Sequence, residues 1–169
     1  VSDNATTGIS VIAPDAHLER VTSTRNGLMG VHVNEADGFS ADGLLVSRNN
    51  LEHFNRAPSA GGLKMTRTSD VSVRDSAFVD NLGHGFWCDI SCQGVALTAS
   101  RFSANTGAGV VFEISRGLTL AGSLLARNGL DGLWVIDSDR VEAAGNALVD
   151  NGRNGFRLVQ DDRWEDAQD

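Results

Sequence analysis

The chain has 169 residues and carries 22 acidic against 14 basic side chains, for a net charge of −8. The acidity runs along the whole length without like-charge blocks, which argues against a nucleic-acid partner because nothing here would displace counterions from phosphates. The length suits one domain with its own core, and no apolar run approaches the roughly 20 residues of a membrane span.

In chain order, the first predicted unit opens on Asn4, reaches Gly8 four places later and continues with the alternating apolar pair Ile9 and Val11. The second repeats this at Asn26, Gly30 and Val31/Val33, then adds Phe39/Ala41. Asn49 follows Asn26 by 23 residues, but the stretch Asn50–Gly61 inserts about nine extra residues before Gly62 and Leu63/Met65. From there the period holds through Asn81…Gly85, Asn105…Gly109, Asn128…Gly132 and Asn151…Gly155, with glycines spaced by 24, 23 and 23 residues. The apolar pairs after these glycines are Phe86/Cys88, Val110/Phe112, Leu133/Val135 and Phe156/Leu158. Second pairs occur at Val71/Val73, Val95/Leu97, Leu118/Leu120 and Val141/Ala143. A small polar residue then recurs at Ser76, Ser100, Ser123 and Asn146, with an apolar residue two places on at Phe78, Phe102, Leu125 and Leu148.

Alternation of period two predicts strands with one buried face. Three short strands and their turns within 23 residues leave no room for a helix, and units this small must stack to bury their apolar faces. Strands of successive units then pair in parallel, about 4.8 Å apart. The asparagines stack at one corner as an amide ladder, and the recurring glycine suits a corner needing positive φ or close backbone approach. The expected fold is all-β: a right-handed parallel β-helix of about seven rungs, the hand taken from the bias of parallel crossovers.

The unit N-x-x-x-G, followed by two alternating apolar pairs and S-x-apolar-x-x-N, resembles the right-handed β-helix repeats of the pectin-lyase-like superfamily. The phrases GFWCDIS, GVVFEIS and RLVQDDR are similar to bacterial β-helix repeat proteins. The resemblance spans nearly the whole chain and is specific for fold, while one fold hosts many chemistries. It implies lyase or epimerase activity on the face of the first strand. Three family patterns are missing. There is no tyrosine, so the Tyr-Gly-Phe-Asp-Pro-His pattern of mannuronan epimerases is absent, with Asp15-Ala16-His17 only a faint echo. The Arg-x-Pro-x-x-Arg pattern of pectate lyases does not occur. Gly83-His84-Gly85 matches the Gly-His-Gly of polygalacturonases without their aspartate pair.

The expected organisation is a single β-helix domain over residues 1–169, a piece of a longer chain, since it begins at Val1 and stops after Trp164 enters the column of Val71, Val95, Leu118 and Val141. Cys88 and Cys92, four apart, form neither a redox CxxC nor a zinc pattern; a local disulfide and two free thiols are both open readings.

Two outward columns follow from the repeat. One runs Ser10, His32, Lys64, Trp87, Val111, Trp134, Arg157; the other runs Ile12, Asn34, Thr66, Asp89, Glu113, Ile136, Val159. Trp87 and Trp134 fall two rungs apart, roughly 9.6 Å and close to a disaccharide. With Asn34 and Arg157 they are the candidate substrate-binding residues, and a subunit interface is the competing use. Asp89 and Glu113 are one rung apart, about 4.8 Å, a pairing that raises carboxylate pKa values, holds a cation such as calcium, or serves a retaining glycosidase. The bland alternative is two hydrated acids relieved by Lys64 or Arg116. The insertion overhangs this wall and brings His53 and Arg56 towards Lys64 and His32. These four, with His84, are the catalytic candidates, since a basic group over paired acids suits proton abstraction next to a uronate carboxylate.

Two functions follow. One is a secreted or cell-surface carbohydrate-active module that binds, and cleaves or epimerises, a uronate-containing polysaccharide, with calcium as the candidate cofactor. The other is a non-catalytic adhesin, spike or scaffold whose regular face mediates assembly and would favour an oligomer.

Overall fold

The computed structural model describes residues 1–161 and Arg163. Strands form wherever the sequence alternates, and they sort into three parallel sheets. The first holds β1 Thr7–Val11, β4 Met29–Asn34, β7 Gly61–Thr66, β10 His84–Asp89, β13 Val110–Glu113, β16 Leu133–Ile136 and β19 Phe156–Val159, stacked in that order. The second holds β2 His17–Glu19, β5 Ser40–Asp42, β8 Ser69–Arg74, β11 Gln93–Thr98, β14 Arg116–Ala121 and β17 Asp139–Ala144. The third holds β3 Thr22–Thr24, β6 Leu45–Ser47, β9 Ala77–Val79, β12 Arg101–Ser103, β15 Leu124–Ala126 and β18 Ala147–Val149. Each turn of chain adds one strand to each sheet, so the molecule is the expected parallel β-helix.

Inward residues stack rung upon rung. Phe86 opposes Leu63 and Val110, and Phe102 opposes Phe78 and Leu125. The Phe78 and Phe102 rings stack at 5.1 Å and 7°, and Phe86 meets Phe78 edge-on at 5.7 Å and 86°. Offset stacks and edge contacts add about 0.5–1.5 kcal/mol each beyond the area they bury. Cys88 and Cys92 are free and buried. Cys88 fills a core position between Met65 and Phe112, while Cys92 takes a corner position where its N–H donates to Ser115 Oγ at 3.1 Å.

The corners are held by side-chain ladders. Asn26, Asn49, Asn81, Asn105 and Asn128 are almost wholly buried, and each donates Nδ2 to Oδ1 of the next asparagine at 2.9–3.0 Å. Each backbone N–H in the same column also donates to that Oδ1, at 3.0–3.2 Å. Asn105 uses its second Nδ2 hydrogen on the Phe78 carbonyl at 3.0 Å. Serines do the same at a second corner, where the N–H groups of Ser76 and Ser100 donate to the next hydroxyl at 3.1 Å. The glycine beside the asparagine column serves close approach rather than positive φ: a Cβ at Gly85 would lie 2.6 Å from the Gly109 carbonyl oxygen and 2.8 Å from Asn105 Nδ2.

The insertion leaves between β6 and β7. Asn50 pins it, its Oδ1 accepting from the Phe54 N–H at 2.9 Å and its Nδ2 donating to the Leu82 carbonyl at 2.7 Å. It carries one short helical segment, α1 Arg56–Ser59, the only α-helical element among the described residues. Trp164, expected in the second-sheet column, lies outside the described residues.

Asn105→Ala strands several buried donors and acceptors, each costing about 1–3 kcal/mol, so its thermal midpoint should fall by roughly 10 °C in circular dichroism melts. Asn4→Ala, at the exposed end of the same ladder, should cost only a fraction of that drop.

Candidate functional site

The first sheet turns its polar column outward, and the pairing register places the residues of both columns as counted from the repeat. His32 lies beside Lys64, Lys64 beside Trp87, Trp87 beside Val111, Val111 beside Trp134, and Trp134 beside Arg157. Asn34, Thr66, Asp89 and Glu113 follow one another in the second column.

The wall is not open water. Lys64 retains 8% exposure, and Asp89 and Glu113 9% each. Lys64 Nζ donates to Asp89 Oδ2 at 2.8 Å and to the Pro58 carbonyl of the insertion, and it sits 3.6 Å from the centre of the Trp87 ring. The insertion therefore covers Lys64 instead of presenting it. A lysine so engaged is a clamp tying loop, wall and tryptophan together.

Glu113 is equally committed. Its Oε2 accepts from Trp87 Nε1 at 3.0 Å and its Oε1 from Arg163 at 2.7 Å. Arg163 also contacts Asp161 at 2.7 Å and Asp137 at 3.3 Å, and the Asp161 N–H donates to Asp137 at 2.5 Å. The adjacent carboxylates are thus each taken by a different cation. Among the described residues no three His, Cys, Asp or Glu side chains converge as metal ligands. Calcium needs six to eight oxygens, so this pair, with a lysine ammonium already on Asp89, does not fit the ion.

His84 is buried at the start of β10, where its Nδ1 accepts from the Ala108 N–H at 3.0 Å; the other ring nitrogen then carries the proton. Burial, followed by the charges of Arg56, Lys64 and Arg153, pushes its pKa down to about 4. The neutral ring meets Trp87 at 5.3 Å and Trp134 at 6.4 Å, bracing both. His32 is half-buried, its pKa lowered by burial and by Lys64. His53 is exposed in the insertion, and Asn34 accepts from Thr66 Oγ1 at 2.6 Å. Neither borders the cleft below.

That cleft, of ≈ 410 Å³, is lined by Trp87, Val111, Trp134 and Arg157 along the wall, with Ala57 of the insertion at one edge and Arg163 at the other. Trp134 carries Arg157 at 5.0 Å and Arg153 at 5.3 Å. Arg153 is paired with the buried Asp131, whereas Arg157 and Arg56 make no ion pair among the described residues. Arg56 Nη1 donates to the Thr106 carbonyl at 3.3 Å. The sequence reading missed Arg153, Asp131, Asp137, Asp161 and Arg163. A signal existed for the first two: Arg153 follows Asp131 by 22 residues, about one rung.

Lys64→Met should strand Asp89 and lower stability by about 3 kcal/mol in urea melts, and adding Asp89→Leu should restore most of the loss. For His84, the folded pKa of about 4 lies below the ordinary 6.5, so its contribution is full above pH 6.5 and lost as pH falls towards 4. This amounts to on the order of 3 kcal/mol, and urea melts between pH 7 and 4 should show a flatter profile for His84→Gln.

No curated protein and no solved structure matches the chain at a significant level. The family described as "Right handed beta helix region" matches residues 1–160. With that match and the three parallel sheets together, the chain belongs to the right-handed β-helix family.

Proposed function

We propose that the first-sheet wall binds a uronate-containing polysaccharide, with no turnover at this site, as a module acting outside the cell or at its surface. The observation that carries this reading is the pair of tryptophans held two strands apart in a ≈ 410 Å³ cleft, bordered by an arginine with no acid partner among the described residues. Both indoles are half-buried. Lys64 lies on Trp87, and Arg157 and Arg153 lie on Trp134, so the rings are pre-oriented and lose little freedom on binding. The ring surface turned to the cleft suits the apolar faces of sugar rings, and roughly 9.6 Å between the two strands matches alternate sugars.

Binding is favoured over chemistry by the state of the groups that would perform it. Lys64, the first choice as base, is locked between Asp89 and the insertion. His84 spends Nδ1 on a backbone N–H, and both oxygens of Glu113 already accept hydrogen bonds. None is free to take a proton from a substrate.

Affinity electrophoresis and tryptophan fluorescence with pectate, alginate, hyaluronan and neutral dextran test the reading. Binding of an acidic polymer, quenching of emission, and a loss of about tenfold in affinity for Trp134→Ala are expected, since about 1.4 kcal/mol corresponds to a factor of ten. EDTA should leave binding unchanged, and no unsaturated uronate should form. If no acidic polymer binds, the wall is an assembly surface and the carbohydrate reading falls.

A further inference from the structure

Resting on the polysaccharide reading above, we infer that the two tryptophans form unequal subsites. A uronate carboxylate docks at the β16–β19 end of the cleft, on the Arg157 guanidinium and the Trp134 indole N–H, while the Trp87 end holds a sugar without reading its charge.

Two arginines line the cleft, Arg157 and Arg163. Arg163 is held by three acids, Glu113 at 2.7 Å, Asp161 at 2.7 Å and Asp137 at 3.3 Å. Arg153, the other cation on Trp134, is paired with the buried Asp131. Arg157 has no acid partner among the described residues. Its guanidinium carbon lies 5.0 Å from the centre of the Trp134 ring, and the two residues are register neighbours on adjacent strands. Arg157 can therefore take a carboxylate without giving up a protein ion pair, and its planar fork suits two parallel hydrogen bonds to one such group.

The indole nitrogens differ in the same sense. Trp87 Nε1 donates to Glu113 Oε2 at 3.0 Å, a side chain one strand further along in the second outward column. The position with the same relation to Trp134 is Val159, which lines the cleft and offers no acceptor. Trp134 Nε1 is buried and has no hydrogen-bond partner among the described residues. Such a donor is rare in a folded chain, and it gains more from a charged acceptor than from a neutral one. An unspent donor and an unspent cation thus belong to neighbouring residues at one end of the cleft. At the other end both are spent, the Trp87 N–H on Glu113 and the Lys64 ammonium on Asp89. A sugar there meets the indole and the neutral His84 ring, not an unpaired cation.

The test follows the indole N–H resonances of the intact, nitrogen-15-labelled protein, assigned with Trp134→Phe and Trp87→Phe. The ligands are tetrasaccharides of pectate, alginate and hyaluronan, each beside its carboxyl-reduced counterpart. The acidic form should shift the Trp134 resonance downfield as the N–H gains an acceptor and leave Trp87 on Glu113. It should also bind about tenfold more tightly than the reduced form. Arg157→Gln should bring the acidic form down to the affinity of the reduced one, whose own binding stays unchanged. Arg157→Lys, which keeps the charge and loses the fork, should fall between. If an acidic form binds while the Trp134 resonance stays still, or Arg157→Gln keeps the preference, the subsite is overturned and the polysaccharide reading stands. Equal binding of acidic and reduced forms also overturns the subsite. Absence of binding to all of them overturns both proposals.

Discussion

Each buried asparagine from Asn26 to Asn128 closes a circuit between consecutive rungs, its Oδ1 receiving both the backbone N–H and the side-chain amide of the rung before. Parallel strands alone leave corner N–H groups turned inward without ladder partners, and an unpaired buried donor is costly. The amide column removes that cost at the position where the chain bends. It also fixes register: slipping one strand by a residue would misplace the amide and turn the apolar face outward at once. The core of Phe78, Phe86 and Phe102 can stack only because this corner holds every rung at the same phase.

The first-sheet wall inherits that phase. Residues with no sequence proximity, such as Lys64, Trp87, Val111, Trp134 and Arg157, become neighbours because their strands are adjacent. The insertion then changes what the wall can do. By bringing the Pro58 carbonyl onto Lys64 it turns a would-be base into a structural tie, and by placing Ala57 beside Trp87 it raises one edge of the cleft. Arg163 performs the matching task at the other edge, neutralising Glu113. What stays along the cleft is two half-buried indoles and Arg157, which has no acid partner among the described residues.

The architecture was legible in the spacing of Asn81, Asn105, Asn128 and Asn151, and so were both outward columns, since period and alternation are one-dimensional properties. Two things were not. The outward acids were expected to share a cation or to be hydrated and relieved by Lys64 or Arg116; Lys64 does pair with Asp89, yet both acids are buried and Glu113 is taken by Arg163, far along the chain. His84 read as a catalytic candidate within Gly83-His84-Gly85, and its surroundings, two indoles and the Ala108 N–H on its Nδ1, were not legible. Both gaps have one source: a repeat predicts which side of a strand a residue faces and not what closes over it.

By itself, then, the sequence determined the coil, its corners and the two tracks of side chains on its flat wall, because hydrogen-bond ladders and apolar stacking repeat with the chain's own period. Only the tertiary structure decided which charges on that wall are spent and which are free. The Lys64–Asp89 pair spans one rung and follows the repeat, but its closure by the Pro58 carbonyl depends on a non-repeating loop, and the Glu113–Arg163 pair depends on an arginine 50 positions away.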